Sequence, residues 1–232
     1  MAEPSTPARS DTAPADRVAN ALERAILEHR LPPGAKLGED EIAEVYGVSR
    51  TIVRAALHRL AHQRLVDLRR NRGAFIASPS IREAREVFEA RALLEPRTAR
   101  SAAERFTPAE YALLARMIED EHDALAAGDS GRALFLSGRF HIEIARIADQ
   151  ATIAAFIAEL VSRSSLIIAL YWQRRTALCE SHAHHALLEA FGKHDAQAAE
   201  VLMKGHLVDL VTSLDLRNVV PMPGSLREAL GM

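Results

Sequence analysis

The residues best suited to chemistry are three histidines. His141, His184 and His206 fall in three separate helical stretches of the second half of the chain, from which their side chains could converge. Three neutral imidazoles suit zinc, nickel or a related divalent ion, and they leave coordination positions for water or a carboxylate. Residue type alone also allows a plainer role. The seven histidines beyond residue 80 show no diagnostic spacing, and each could be a surface or hydrogen-bonded side chain. A hydrolase using such histidines to activate water would further need a positioned general base. No His-Glu-X2-His motif supplies one, so the chain does not read as an enzyme.

A second group of residues suits a polyanion. The net charge of -2 gives no reason to expect nucleic acid, but the charge is unevenly spread. Residues 49–72 hold seven arginines against one acid, Asp67. Arg50 and Arg54 are four residues apart and share a helix face, with Ser49 and Thr51 at its N-terminal end. Arginine presents two donors to the O6 and N7 acceptors of guanine, while hydroxyls and helix N-terminal amides suit phosphate. Arg69, Arg70 and Arg72 follow in a short basic run, and Gly73 would let backbone approach DNA closely.

The elements that must carry these groups fall into two blocks. In the first, Val18, Leu22 and Ile26 predict an amphipathic helix over 16–30, ended by Leu31-Pro32-Pro33-Gly34. A second helix over 39–46 turns Ile42 and Val45 inward, and Gly47 breaks it. Ser49 caps a third helix with Val53, Leu57 and Leu60 as its buried stripe. Helix, glycine turn and helix make a helix-turn-helix. The runs 65–68 and 74–77, with a basic glycine-containing tip between them, predict a two-stranded wing.

Beyond residue 81 the grammar is helical throughout: about six helices of roughly 15 to 24 residues, joined by short connections into an antiparallel bundle. Breaks are expected at Thr107-Pro108, at 128–131, at Asp149-Gln150, near Thr176 and at 192–195. The expected organisation is a disordered leader 1–14, a DNA-binding domain 15–78, a linker 79–81, an effector domain 82–217 and a tail 218–232. The fold class is thus mainly α: a winged helix-turn-helix followed by an all-helical bundle. With no uninterrupted apolar run of about 18 residues and no secretory leader, no membrane partner is expected. The single cysteine, Cys179, fits a cytoplasmic protein without disulfides.

Three segments, 31–39, 47–57 and 72–76, together resemble the GntR family of transcriptional regulators over nearly all of residues 16–78. The resemblance implies that Ser49, Arg50, Thr51, Arg54 and Gly73 touch operator DNA. Where some relatives place a DNA-contacting arginine ahead of the turn, this chain has Asp40, so no contact is implied there. Segments 89–96, 140–141, 184–190 and 203–207 resemble the FCD ligand-binding domain of the FadR-type branch. Many members hold a divalent metal through an Asp-X3-His pair and two later histidines, and the metal helps to bind a small organic acid. The matching histidines here are His141, His184 and His206, while Ser137 stands at the aspartate position, one turn before His141. A serine hydroxyl is a poorer metal ligand than a carboxylate, and a metal-free pocket using Ser137 as a hydrogen-bonding group is the alternative. Arg91 matches a pocket arginine that could pair with an effector carboxylate or, locally, with Glu95. His185 points about 100 degrees from His184 on an ideal helix and is a neighbour, not a ligand. A homodimer is expected, because operators read by such heads are usually two-fold related.

Overall fold

The computed structural model describes residues 13–172 and 178–217. The leader up to residue 12, the break near Thr176 and the tail from residue 218 lie outside the described residues. Helix α1 spans Pro14–Leu27, with Pro14 at its first turn, where its missing N–H costs nothing. It stops three residues short of the expected end. His29 adopts a left-handed conformation (φ 56°), and the amides of Arg30 and Leu31 both return to the Ala25 carbonyl. That local cap, rather than the prolines, ends the helix.

Helix α2 spans Glu39–Tyr46 and gives way at Gly47 (φ 61°), a left-handed position that suits glycine. Helix α3 spans Arg50–His62, with the Ser49 hydroxyl accepting from the Ile52 amide. Ile42, Val53, Leu57 and Leu60 join Leu22 and Ile26 of α1 in one core. Val45 is only half-buried; Ala43 and Tyr46 pack on this core beside Ile42 instead. The wing is part of a three-stranded sheet rather than a two-stranded hairpin. Strand β1 (Lys36–Leu37) pairs antiparallel with β3 (Gly73–Ile76), which pairs on its other side with β2 (Val66–Arg69). Two residues of β1 are too few to show a periodicity, yet they satisfy the backbone along the free edge of β3.

The second block holds helices α4 (Ile81–Glu104), α5 (Pro108–Ala126), α6 (Ser130–Ile147), α7 (Ala151–Tyr171), α8 (Leu178–Gly192) and α9 (Ala196–Thr212). Four of them start where a side chain satisfies the first amides. Ser80 with Glu83 and Thr107 with Glu110 form capping boxes, and Asp129 and Asp195 cap α6 and α9. Helix α4 packs along α9 and α7, and α5 packs on α6 and α8. Helix α7 has a mean hydropathy of 1.8 and is long and apolar enough to cross a membrane by length and composition alone. It carries Glu159 and Arg163, and it packs between α4 and α6 with Ile157, Leu166 and Ile167 buried.

The two blocks meet where the end of α1 rests on α6 and α7. His29 Nε2 donates to the Ser165 carbonyl at 2.9 Å and lies 3.0 Å from its hydroxyl. Leu166 enters the core of the first block. Burial lowers the His29 pKa to about 4, against an ordinary 6.5, although the Ser165 hydrogen bond pulls it upward. A histidine held neutral in the fold contributes its full stabilisation above pH 6.5 and loses it as pH falls toward 4. Thermal melts between pH 7 and pH 4 should therefore show an acid-sensitive stability that is shallower in His29→Gln; an unchanged slope in that variant would remove His29 from the account.

Candidate functional site

Helices α6, α8 and α9 bring His141, His184 and His206 together, all three buried. One ring nitrogen from each lies within 4.8 Å of the others. The Nε2 atoms of His141 and His206 are 3.2 Å apart. Carboxylates set the orientation of two rings. Glu95 of α4 accepts from His141 Nδ1 at 2.6 Å, and Glu121 of α5 accepts from His184 Nδ1 at 2.9 Å. With the proton on Nδ1, each ring offers its Nε2 lone pair to the common centre. His184 Nε2 is buried and has no hydrogen-bond partner among the described residues. An unpartnered buried acceptor facing two further imidazoles fits a divalent cation, so the donor set and the orphaned atom agree.

The surroundings of His141 and His206 favour neutral rings. Burial pushes the pKa of His141 down, against the upward pull of Glu95. Burial and the neighbouring His184, His141 and Arg91 push His206 well down. Burial alone would raise Glu95, but Arg91 and His141 overcome it and bring the carboxyl down to about 2. Arg91 is 2% exposed and fully engaged: its Nε and Nη2 reach Glu95 at 2.5 and 3.2 Å, and its Nη1 reaches the Ser164 hydroxyl at 2.9 Å. Of its two expected partners, Glu95 is the one it holds.

A cavity of about 560 Å³, counted with its open mouth, lies against two of these histidines, His141 and His206. His141, His206, Arg91 and Ser137 all line it, Ser137 standing one helical turn before His141. His185 is exposed and stacks on His122 with ring centroids 5.2 Å apart, away from the cluster as its helical offset requires. Sequence reasoning missed Glu121 altogether, and it gave Glu95 only to Arg91. Contacts between α5 and α8, or α4 and α6, leave no trace in local spacing.

On the first block, Arg50, Thr51 and Arg54 are exposed at the start of α3. The Arg50 guanidinium pairs with Asp40, and Arg54 Nε reaches Glu39 at 2.8 Å. Both acids stand in the first turn of α2. The wing tip presents Arg70 and Arg72 to solvent, while Arg69 sits 4.5 Å over the Phe75 ring and 3.3 Å from Asp67. Gly73 adopts φ 92°, which favours glycine, and Lys36 lies beside it as a further cation that sequence reasoning passed over.

A winged helix-turn-helix joined to an all-helical domain with an open cavity beside a buried histidine cluster is the architecture of a DNA-binding transcriptional regulator. Residues 14–76 match the model of bacterial regulatory proteins of the gntR family, and residues 86–209 match the FCD domain. The Uxu operon transcriptional regulator of Escherichia coli K12 is 30% identical, over 77% of this chain and 75% of its own length. The Nta operon transcriptional regulator of Aminobacter aminovorans is 29% identical, over 76% of this chain and 83% of its own. A crystal structure from Rhodococcus sp. RHA1, described as a GntR transcriptional regulator, superposes with a TM-score of 0.76 at 25% identity, covering 87% of this chain and 97% of that one. The chain belongs to the GntR family of transcriptional regulators and carries an FCD domain.

The buried pairing around Glu95 has a measurable consequence. Glu95→Ala should lower the free energy of unfolding by about 3–5 kcal/mol, because it strands a buried guanidinium. Urea titration would measure this, and Arg91→Met in the same chain should recover much of the loss. A cost below about 1 kcal/mol in the single variant would show that Arg91 finds water instead.

Proposed function

We propose that this regulator binds two-fold related operator DNA as a homodimer in the cytoplasm and changes its grip when an organic acid enters the cavity. Residues 15–78 form the DNA-binding head, 79–81 the linker and 82–217 the sensor. Arg50 and Arg54 read bases in the major groove, with Ser49 and Thr51 at the helix end against the phosphates. Arg69, Arg70, Arg72 and Gly73 bring the wing onto the backbone or into the minor groove. The observation that carries the sensor reading is the buried Nε2 of His184, which has no hydrogen-bond partner among the described residues and stands behind His141 and His206, the two histidines that line the cavity.

His141, His184 and His206 would hold a divalent metal, zinc or nickel by the softness of imidazole ligands. Such an ion supplies an electropositive centre for a carboxylate. Ser137 contributes a hydroxyl from one turn along α6, and Arg91 acts from behind by anchoring Glu95, which orients His141. A repressor named for the galactonate operon of Escherichia coli K12, 26% identical over 80% of this chain and 90% of its own, is named for a sugar acid. This supports an acid as the effector class. Glu95 and Glu121 are both committed to histidine Nδ1 atoms. Neither is free as a general base, which argues against a hydrolase. Coupling is by linkage: an effector that prefers one arrangement of the bundle biases the spacing of the two heads.

Fluorescence anisotropy with DNA from upstream of the protein's own gene, across salt concentrations and with chelator or organic acids, tests the reading. Arg50→Ala or Arg54→Ala should weaken specific binding by about 1–3 kcal/mol, whereas Arg70→Ala or Arg72→Ala should weaken all sequences evenly and flatten the salt slope by about one. Unchanged sequence preference in both α3 variants would sink the base-reading assignment. For the metal, Glu121→Ala should loosen zinc about 10- to 100-fold in a competition titration, since an unsupported His184 loses orientation and basicity. Purified, unchelated protein without stoichiometric metal would instead favour a metal-free pocket centred on Ser137.

A further inference from the structure

The cavity is not closed by the helical bundle alone. Leu27, the last residue of α1, stands in its wall beside Phe135 and Ser165. The rest of α1 belongs to the core of the first block, on which Leu27 also packs. Three contacts pin the end of α1 at that place. His29 donates to the Ser165 carbonyl, and the Ser165 hydroxyl donates to the Leu27 carbonyl at 3.3 Å. Gly131 approaches so closely that a Cβ there would sit 2.0 Å from the Glu28 carbonyl oxygen. The neighbouring Ser164 accepts from Arg91, which reaches Glu95 and through it His141.

Apart from its histidines, its serines and the arginines Arg91 and Arg139, the lining is largely apolar, with Leu134, Phe135, Ile142, Val161, Ile168 and Leu210. A polyhydroxylated acid would leave hydroxyls unpaired against these side chains, at a cost for each one buried. An alkyl chain would instead leave water for apolar surface.

We propose that the cavity takes a carboxylic acid with an apolar body, its carboxylate at the histidine end and its body against Leu27. The ligand then touches the sensor helices and the DNA-binding head at once. It stabilises the docked position of α1 directly, and docking of α1 completes the ligand site in return. The proposal rests on the effector reading above and adds the ligand class and the contact that transmits its binding.

The test titrates zinc-loaded, full-length protein calorimetrically with acetate, butyrate, hexanoate, octanoate and gluconate. In wild type, affinity should rise about fourfold for each methylene that becomes buried, and octanoate should bind more tightly than gluconate. Leu27→Ala removes the wall contact. Gly131→Ala displaces the end of α1, because the Glu28 backbone has to move. Both variants should keep wild-type zinc stoichiometry and acetate affinity while losing roughly tenfold for octanoate. Octanoate affinity unchanged in Leu27→Ala would overturn the contact with the head. Gluconate binding more tightly than octanoate would overturn the ligand class. Failure of wild type to bind any of these acids would overturn this proposal together with the organic-acid reading, whereas the first two outcomes leave that reading standing.

Discussion

A guanidinium, two carboxylates and three imidazoles lie under the helices of the sensor domain, and such a cluster survives only if each charge has a partner. Glu95 is the hinge of the arrangement. Its two oxygens take Arg91 and His141, from its own helix and from α6. Without Arg91 the carboxylate would be a buried lone charge; without Glu95 the arginine would be. Glu121 accepts the ring proton of His184 in the same way. The architecture follows from this constraint. Helices α4 and α5 supply the carboxylates, α6, α8 and α9 supply the rings, and none of the five can slide without breaking a buried pair.

That rigidity would give a ligand of the proposed kind leverage at the other end. Ser164 and Ser165 are consecutive on α7, so a helix turns them about 100 degrees apart. One hydroxyl accepts from Arg91 inside the sensor and the other residue meets His29 and Leu27 at the head. A shift of α7 small enough to keep the core packed still moves both contacts together. Close packing makes such a junction an element with discrete positions rather than a soft spring. His29 is suited to it because its left-handed backbone ends α1 and swings the chain away where the helix meets Ser165.

The parts of this molecule that were legible in the sequence are those written in local spacing. Gly47 and Ser49 announce a turn and a cap, Arg50 and Arg54 share a face, and Thr107-Pro108 marks a break between helices. His141, His184 and His206 were separable from the other histidines through motif resemblance, and His185 was excluded by helical angle alone. What remained hidden depends on tertiary contact. Glu121 is one acid among many on α5 until α8 packs on it, and β1 is two residues whose partner lies about forty positions away. The early end of α1 was hidden for a different reason: His29 does a job usually given to glycine, and the proline pair beyond it was the louder signal. The inward role given to Val45 failed because α2 is short, and Tyr46, four residues after Ile42, covers the core with a larger side chain.

The acids beside the recognition arginines follow the logic of the buried cluster with the opposite energetic outcome. The side chains of Arg50 and Arg54 are 63% and 60% exposed, so their pairs with Asp40 and Glu39 add little to folding. Water on most sides of each pair screens it, and a neighbouring helix rather than the core supplies the partner. What the acids do is hold each guanidinium by its Nε edge. Held there, each arginine would have its two Nη nitrogens to give parallel donors to one guanine. On a docked duplex the same carboxylates would face phosphate oxygens and oppose any pose that fails to seat the arginines on bases. An acidic residue at position 40 is therefore compatible with the proposed DNA-binding face: by its charge Asp40 would weaken loose electrostatic contact more than a seated, base-reading one.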